Sequence, residues 1–394
     1  MGCTTSKNVA SGSTHSTITT RSYDAHSHGA FSPPRRMNQT LRSFRQLHSF
    51  SPTMILNKAR SNQSFLPHNL GPATHDDDAD WSEYRQLQPY KDRYWIDHDD
   101  IMIVRPLSCT YMKTDMATWK GQSVLMKSVD MTKEPDEIAK SRKALVSEVT
   151  SMVRIQHPNI VTFLGFNLSP QNGLVCVSEF MEHGTLRILL DSPKTSAALS
   201  WRYDKIKFAI EICEALAYMH GQKPPLIHRN IKAGKILLSH TFMAKLSGFG
   251  LSRVRIFEDE MTAKIGDIEW SAPELLVDGE DYTEKVDVYS FGIVLTELDT
   301  RALPFAEVKS TLHATDFTNA LVTGSIRPKL STDCPTVIAQ IVRHCLQQDP
   351  HIRPTSAKVL QMLKEAKTQL HDRAVAPAEN VSGNSIGAAL DSPP

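Results

Sequence analysis

The hydrophobic period changes along this chain, and that change restricts the fold more than any other feature. Ile101-Met102-Ile103-Val104 and the run from Ser123 to Ser128 read as strands. Further on, Phe208-Ala209-Ile210, Ile212, Ala215-Leu216 and Met219 recur at helical spacing, and Val286 to Leu298 reads as a strongly apolar helix. A strand-rich part followed by a helix-rich part predicts an α+β architecture of two lobes. A cleft between such lobes is a common ligand site.

Composition shifts on both sides of this region. Residues 1–75 carry Lys7, Arg21, Arg35, Arg36, Arg42, Arg45, Lys58 and Arg60 against the single acid Asp24, and are rich in Ser, Thr, Asn and His. Disorder is expected of so few aliphatic residues, and attraction to an anionic cytoplasmic leaflet of so many cations. Leu41, Phe44, Leu47 and Phe50 have two readings, a short interfacial helix or apolar residues scattered through a disordered segment. The chain opens Met1-Gly2-Cys3-Thr4-Thr5-Ser6, a pattern for N-myristoylation at Gly2 with Cys3 open to palmitoylation. One myristoyl chain holds weakly, so stable attachment needs a second acyl group or a basic patch. Both are at hand, and the expected location is the cytoplasmic face of a membrane, with the plasma membrane preferred.

Residues 76–100 turn acidic at Asp76-Asp77-Asp78 and carry Trp81, Tyr84, Tyr90, Tyr94 and Trp95, which predicts an ordered lead-in to the small lobe. The small lobe and hinge take 101–181 and the helical lobe 182–371. Residues 372–394 are small, polar and proline-bearing, hence expected to be disordered. No run of about 20 apolar residues is present to span a bilayer. Cys3, Cys109, Cys176, Cys213, Cys334 and Cys345 lack paired metal spacing, which together with the acylation pattern points to a reducing cytosol. A formal net charge of +1 gives no reason to expect a nucleic-acid partner.

Between about Trp95 and Leu370 a series of motifs falls in a fixed order. Val124-Leu125-Met126-Lys127 is followed by Glu148, His157-Pro158-Asn159-Ile160-Val161 and Ser178-Glu179-Phe180-Met181. Then come Gly184-Thr185-Leu186, Ile227-His228-Arg229-Asn230-Ile231-Lys232 and Ser247-Gly248-Phe249-Gly250. Ala272-Pro273-Glu274, Asp287-Val288-Tyr289-Ser290-Phe291-Gly292, Asp349-Pro350 and Arg353-Pro354 complete the set. In this order the chain resembles the protein kinase superfamily, in its tyrosine-kinase-like group of serine/threonine kinases. The resemblance implies a bilobal kinase fold, with Lys127 paired to the Glu148 of a C-helix and Glu179 and Met181 in the hinge. It also implies a stack of Phe163, Met152, His228 and Phe249 resting on Asp287, and a structural ion pair of Glu274 with Arg353.

Departures from the family pattern concentrate where the chemistry sits. Leu107, Cys109 and Met112 stand where glycines would let backbone amides approach phosphates. Leu125 replaces a small alanine at the roof of the adenine pocket, and an added isobutyl group needs room. Asn230 stands at the position of the catalytic base, and an amide cannot take up a proton at neutral pH. Lys235 and Gly248 stand where the two protein ligands of the metal pair would be, so no metal is expected. Lys232 is retained, and the resemblance implies that it meets position 267, where Asp267 reads either as a substitute base or as the partner of an ion pair that pins the activation segment. Lys127 and Glu148 read as a nucleotide contact or as a structural pair.

Three functions follow from this pattern. The first is a membrane-tethered pseudokinase that regulates an active kinase or scaffolds a signalling complex, with dimerisation open and no cofactor. The second is a serine/threonine kinase of unusual mechanism using Lys127, Lys235 and Asp267. The third is a sensor that binds ATP without magnesium.

Overall fold

The computed structural model describes residues 81–107, 112–169, 173–251, 253–254, 267–277 and 282–372. Gly2, Cys3, the basic segment, Cys109 and the tail after Asp372 lie outside them.

The small lobe is built on one antiparallel sheet: β1 (Ile101–Leu107), β2 (Lys113–Trp119), β3 (Gln122–Ser128), β4 (Phe163–Ser169) and β5 (Gly173–Glu179), in the order β1-β2-β3-β5-β4. Pro106 cannot donate to a ladder, and it sits in the edge strand β1. Alternation along β3 sends Val124 and Met126 to one face, where they are buried with Ile96, Ile101, Ala117, Val175 and Val177. Leu125 and Lys127 therefore share the other face.

Between β3 and β4 runs helix α1 (Pro135–Met152), which starts with proline at its first position and Asp136 and Glu137 in its first turn. Proline's missing N–H costs nothing there, and the acids suit the positive end of the helix. Leu145, Val146 and Val149 of α1 pack with Phe166, Leu174 and Cys176 of the sheet. Tyr84 and Leu87 of the lead-in enter the same core, with Trp81, Tyr94 and Trp95 at its margin. The lead-in approaches β4 so closely that a Cβ on Gly165 would stand 2.3 Å from the Tyr94 carbonyl. Glycine at 165 is what lets Ile96 donate to the Phe166 carbonyl at 3.0 Å.

The helical lobe contains α2 (Leu186–Asp191), α3 (Asp204–His220), β6 (Leu226–Ile227), β7 (Ile236–Leu238), β8 (Ala244–Leu246), β9 (Arg253–Val254), α4 (Lys285–Thr300), α5 (Ala314–Thr323), α6 (Thr336–Cys345) and α7 (Ser356–Asp372). Helix α4 is the axis of the lobe, with every residue from Val286 to Asp299 buried. Each fully buried aliphatic there, such as Ile293, Leu295 and Leu298, contributes about 1.5–3 kcal/mol relative to exposure. That apolar surplus carries three acids, Asp287, Glu297 and Asp299, into the same core. The two-lobed α+β architecture expected from the change of period is the one found. No helix among the described residues is long and apolar enough to cross a membrane.

Candidate functional site

The site is organised from beneath by the acids of α4, because a buried carboxylate must find hydrogen-bond donors and the nearest ones are loop amides. Asp287 accepts from the backbone N–H of His228 at 2.7 Å and of Arg229 at 2.8 Å, with His220 Nε2 at 3.0 Å. Burial alone would push its carboxyl up, but the hydrogen bonds it accepts from His220 and from the His228 backbone help to outweigh burial and hold the pKa below the ordinary range. Glu297 accepts from the Ala233 N–H at 3.0 Å, Trp270 Nε1 at 2.8 Å and Arg187 Nη1 at 3.0 Å. Burial pushes its carboxyl up despite those donors. Asp299 takes Trp201 Nε1 at 2.7 Å and the Ser331 N–H at 2.6 Å. Two of the three acids thus fix the loop between β6 and β7.

On that loop His228 is fully buried against Phe249, with ring centroids 5.0 Å apart. Its Nε2 donates to the Ser247 carbonyl at 3.1 Å, and its Nδ1 accepts from the Asn230 N–H at 3.3 Å. Those contacts describe a neutral ring. Burial brings its pKa down to about 4, against the opposing pull of Asp287. Between pH 6.5 and 4 the unfolded chain then takes up a proton that the folded chain refuses, so stability falls as pH falls. The expected loss is about 3 kcal/mol. Urea titrations from pH 7 to 4.5 should show this extra slope in the wild type and not in His228→Gln. Parallel curves for the two proteins would remove His228 as its source.

Of the remaining stack residues, Met152 is buried at the end of α1, and Phe163 is half-buried with its ring 5.2 Å from Tyr94. Lys127 Nζ lies 2.6 Å from Glu148 Oε1. Helix α1 is therefore drawn in, and it packs against the turn Phe249–Leu251. Leu125, half-buried, is paired across the sheet with Met116 and Ser178 and faces the same side as Lys127. Met181 is buried. The Glu179 carboxylate is engaged by Lys245 Nζ at 2.7 and 2.9 Å and by the Thr162 N–H at 2.6 Å, so its side chain serves to tie strands together. Leu107 closes β1, and Met112 packs toward the α1 core.

At the two metal-ligand positions the geometry is specific. The Lys235 carbonyl accepts from both the N–H and the hydroxyl of Ser247 at 2.9 Å, which brings the two loops into register. Gly248 follows with φ +85, and a Cβ placed on it would meet Lys235 Cδ at 2.8 Å and Nζ at 3.4 Å. The lysine side chain occupies the space into which any residue at 248 would project. A glycine and an ammonium offer a magnesium ion no side-chain oxygen, and these residues do not fit that ion. Among the described residues no group of three or more His, Cys, Asp or Glu is placed to hold a metal.

Asn230 is half-buried on the same loop. Lys232 Nζ contacts the Asp267 carboxylate and lies 5.5 Å from the Trp270 ring centroid. Asp267 is 44% exposed, a setting in which an ion pair contributes about 0–1 kcal/mol. Glu274 and Arg353 pair deep in the lobe at 2.6 and 2.8 Å. Glu297, Arg187, Trp270 and Lys245 carry no role in any of these motifs. A charged residue inside the apolar run Val286 to Leu298 was the available signal for Glu297, since such a group is buried only when it is bonded.

Residues 108–363 match the family model for the protein tyrosine and serine/threonine kinase domain. A probable serine/threonine-protein kinase of Dictyostelium discoideum is 36% identical over 249 residues, which is 63% of this chain and 26% of the relative. A putative serine/threonine-protein kinase/receptor of Acanthamoeba polyphaga mimivirus is 32% identical over 272 residues, 69% of this chain and 16% of that one. The probable serine/threonine-protein kinase drkB of Dictyostelium discoideum is 31% identical over 294 residues, 74% of this chain and 40% of that one. In each case the match takes up less than two thirds of the relative's own length. On the extent of the matched domain, this chain belongs to the protein tyrosine and serine/threonine kinase family.

Proposed function

We propose that this chain is a pseudokinase of the tyrosine-kinase-like group, tethered to the cytoplasmic face of a membrane, where it acts as an allosteric partner or scaffold for an active kinase. The observation that carries this reading is the packing of Lys235 against Gly248. It replaces both metal-ligand positions with groups that hold no metal, next to an asparagine at the base position. The relatives are named as kinases, and the difference proposed for this chain lies in these three side chains. The drawn-in α1, the Lys127–Glu148 pair and the buried His228–Phe249 contact support a role that depends on shape.

A second reading is favoured by the same lysine. Lys235 beside Gly248 puts a fixed cation near the position of a metal, and with Lys127 it would suit the phosphates of a metal-free nucleotide. Heating the full chain with ATP, once with magnesium and once with chelator, separates the readings. A bound ligand at 100 times its Kd adds about 2.7 kcal/mol, a rise of roughly 5–10 °C in Tm. No shift in either condition is expected of the pseudokinase, which lacks the ligands for the metal that would hold the nucleotide's phosphates. A shift that survives chelation would establish the sensor, and one that requires magnesium would return the chain to the kinases that turn over ATP.

The tether rests on Gly2, Cys3 and the basic segment. Gly2→Ala should move most of the protein from the membrane fraction to the cytosol. Unchanged membrane residence of that variant would dismiss acylation as the anchor.

A further inference from the structure

Along the outer side of α1 runs a groove of about 680 Å³, with the helix as one wall and Glu83 and Gln86 of the lead-in as the other. The helix contributes Arg142, Lys143 and Thr150, with Arg154 two residues past its end. Arg142 and Thr150 lie eight residues apart, Lys143 and Thr150 seven, and Thr150 and Arg154 four, which keeps these side chains on one side of the helix. Three cations thus line the groove against one carboxylate, Glu83, which pairs with Arg142 at 2.6 Å. Among the described residues the buried Thr150 hydroxyl has no hydrogen-bond partner. The groove has the chemistry of a site for an acidic peptide.

The sequence places such a peptide beside it. Asp76-Asp77-Asp78-Ala79-Asp80 ends one residue before Trp81, whose carbonyl accepts from the Tyr84 N–H at 3.0 Å. Tyr84 and Leu87 are buried under α1, so the point from which the run departs is fixed. Asp80 is three residues from Glu83, within roughly 10 Å of Arg142 for an extended chain, and Asp76 can reach roughly 25 Å. The stripe from Arg142 to Arg154 is about 18 Å long, so every cation of the groove is within reach of the run.

We propose that the acidic run 76–80 of this chain seats in the groove on α1, its carboxylates pairing with Arg142, Lys143 and Arg154 and accepting from the Thr150 hydroxyl. Each partly exposed pair is weak by itself, but a segment tethered three residues away meets the groove at high effective concentration. Glu148 projects from another face of the same helix to Lys127. A clamp on the outer face therefore holds α1 in the position that forms this pair, and release of the run loosens it.

Hydrogen exchange and lysine acylation on the full chain test this. In Asp76→Asn/Asp77→Asn/Asp78→Asn/Asp80→Asn, amides of α1 from 146 to 151 should exchange at least fivefold faster, and Lys143 should acylate at least threefold faster. Both differences should vanish at 1 M salt, where the Debye length is about 3 Å. Lys143→Glu/Arg154→Glu should produce the same acceleration from the groove side, and combining the two sets should add nothing further. Unchanged exchange and acylation in the first variant would overturn the proposal, as would full additivity of the two sets. Protection of the wild type that disappears on dilution would assign the groove to another copy's segment and overturn the intramolecular clamp.

Discussion

Arg353→Ala should lower the thermal midpoint by roughly 10 °C or more, the largest loss expected of any single substitution in the helical lobe. The guanidinium is 1% exposed and uses all five of its N–H donors. It meets Glu274 through Nη1 at 2.6 Å and Nη2 at 2.8 Å, and gives its other protons to the carbonyls of Gln347 at 2.8 Å, Lys285 at 3.0 Å and Gln348 at 3.1 Å. Removing it strands a carboxylate that is 5% exposed. Breaking one side of a buried pair costs about 3–5 kcal/mol, and each kcal/mol moves the midpoint of a domain this size by about 2–4 °C. Arg353→Lys should recover little, because an ammonium has three donors and no fork. A scanning calorimeter is sufficient, and a loss below 3 °C would show that the lobe does not depend on this pair.

The second large effect is a dependence of one substitution on another. Gly248→Asp alone should fail to create a magnesium site and should destabilise the fold, since its Cβ would meet Lys235 Cδ at 2.8 Å in a backbone of φ +85. With Lys235→Asn in the same chain, the space opens and two oxygen-bearing side chains stand at the two positions. Magnesium-dependent stabilisation by nucleotide should then appear where the wild type and either single variant have none. Adding Asn230→Asp supplies a base, an effect worth about 10²- to 10⁴-fold in rate, and phosphoryl transfer by the triple variant should exceed the wild type's by at least 100-fold. Midpoints recorded alongside separate misfolding from inactivity. Magnesium dependence in the Gly248→Asp single variant would refute the claim that Lys235 blocks the site.

Much of this fold can be read without coordinates because it is written in local periods. Val286 to Leu298 has only one way to bury so many apolar side chains, and the structure makes it the central helix. Strand β3 is legible through the alternation of Val124 and Met126 with Leu125 and Lys127. The residues of the cleft can be named from their spacing, but what they touch cannot. Its motif places Glu179 in the hinge, but nothing in that motif shows that Lys245, 66 positions away, sits on its carboxylate. Glu297 binds Arg187 across 110 positions and Trp270 across 27. Contacts over such separations leave no period in the sequence. Nor does spacing reveal that the lysine at 235 fills the space above the glycine at 248. That follows from the two bonds of Ser247 to the Lys235 carbonyl.

The loop between β6 and β7 is gripped by its main chain: Asp287 holds the amides of His228 and Arg229, and Glu297 holds the amide of Ala233. An amide is present at every residue except proline, so this grip is blind to which side chains the loop displays. Substitutions at 230 or 235 can therefore accumulate without the loop losing its path. The helix beneath thus holds the path of the loop and leaves the side chains at 230 and 235 free to change, so a loss of reactive groups there would leave the surface of the lobe intact.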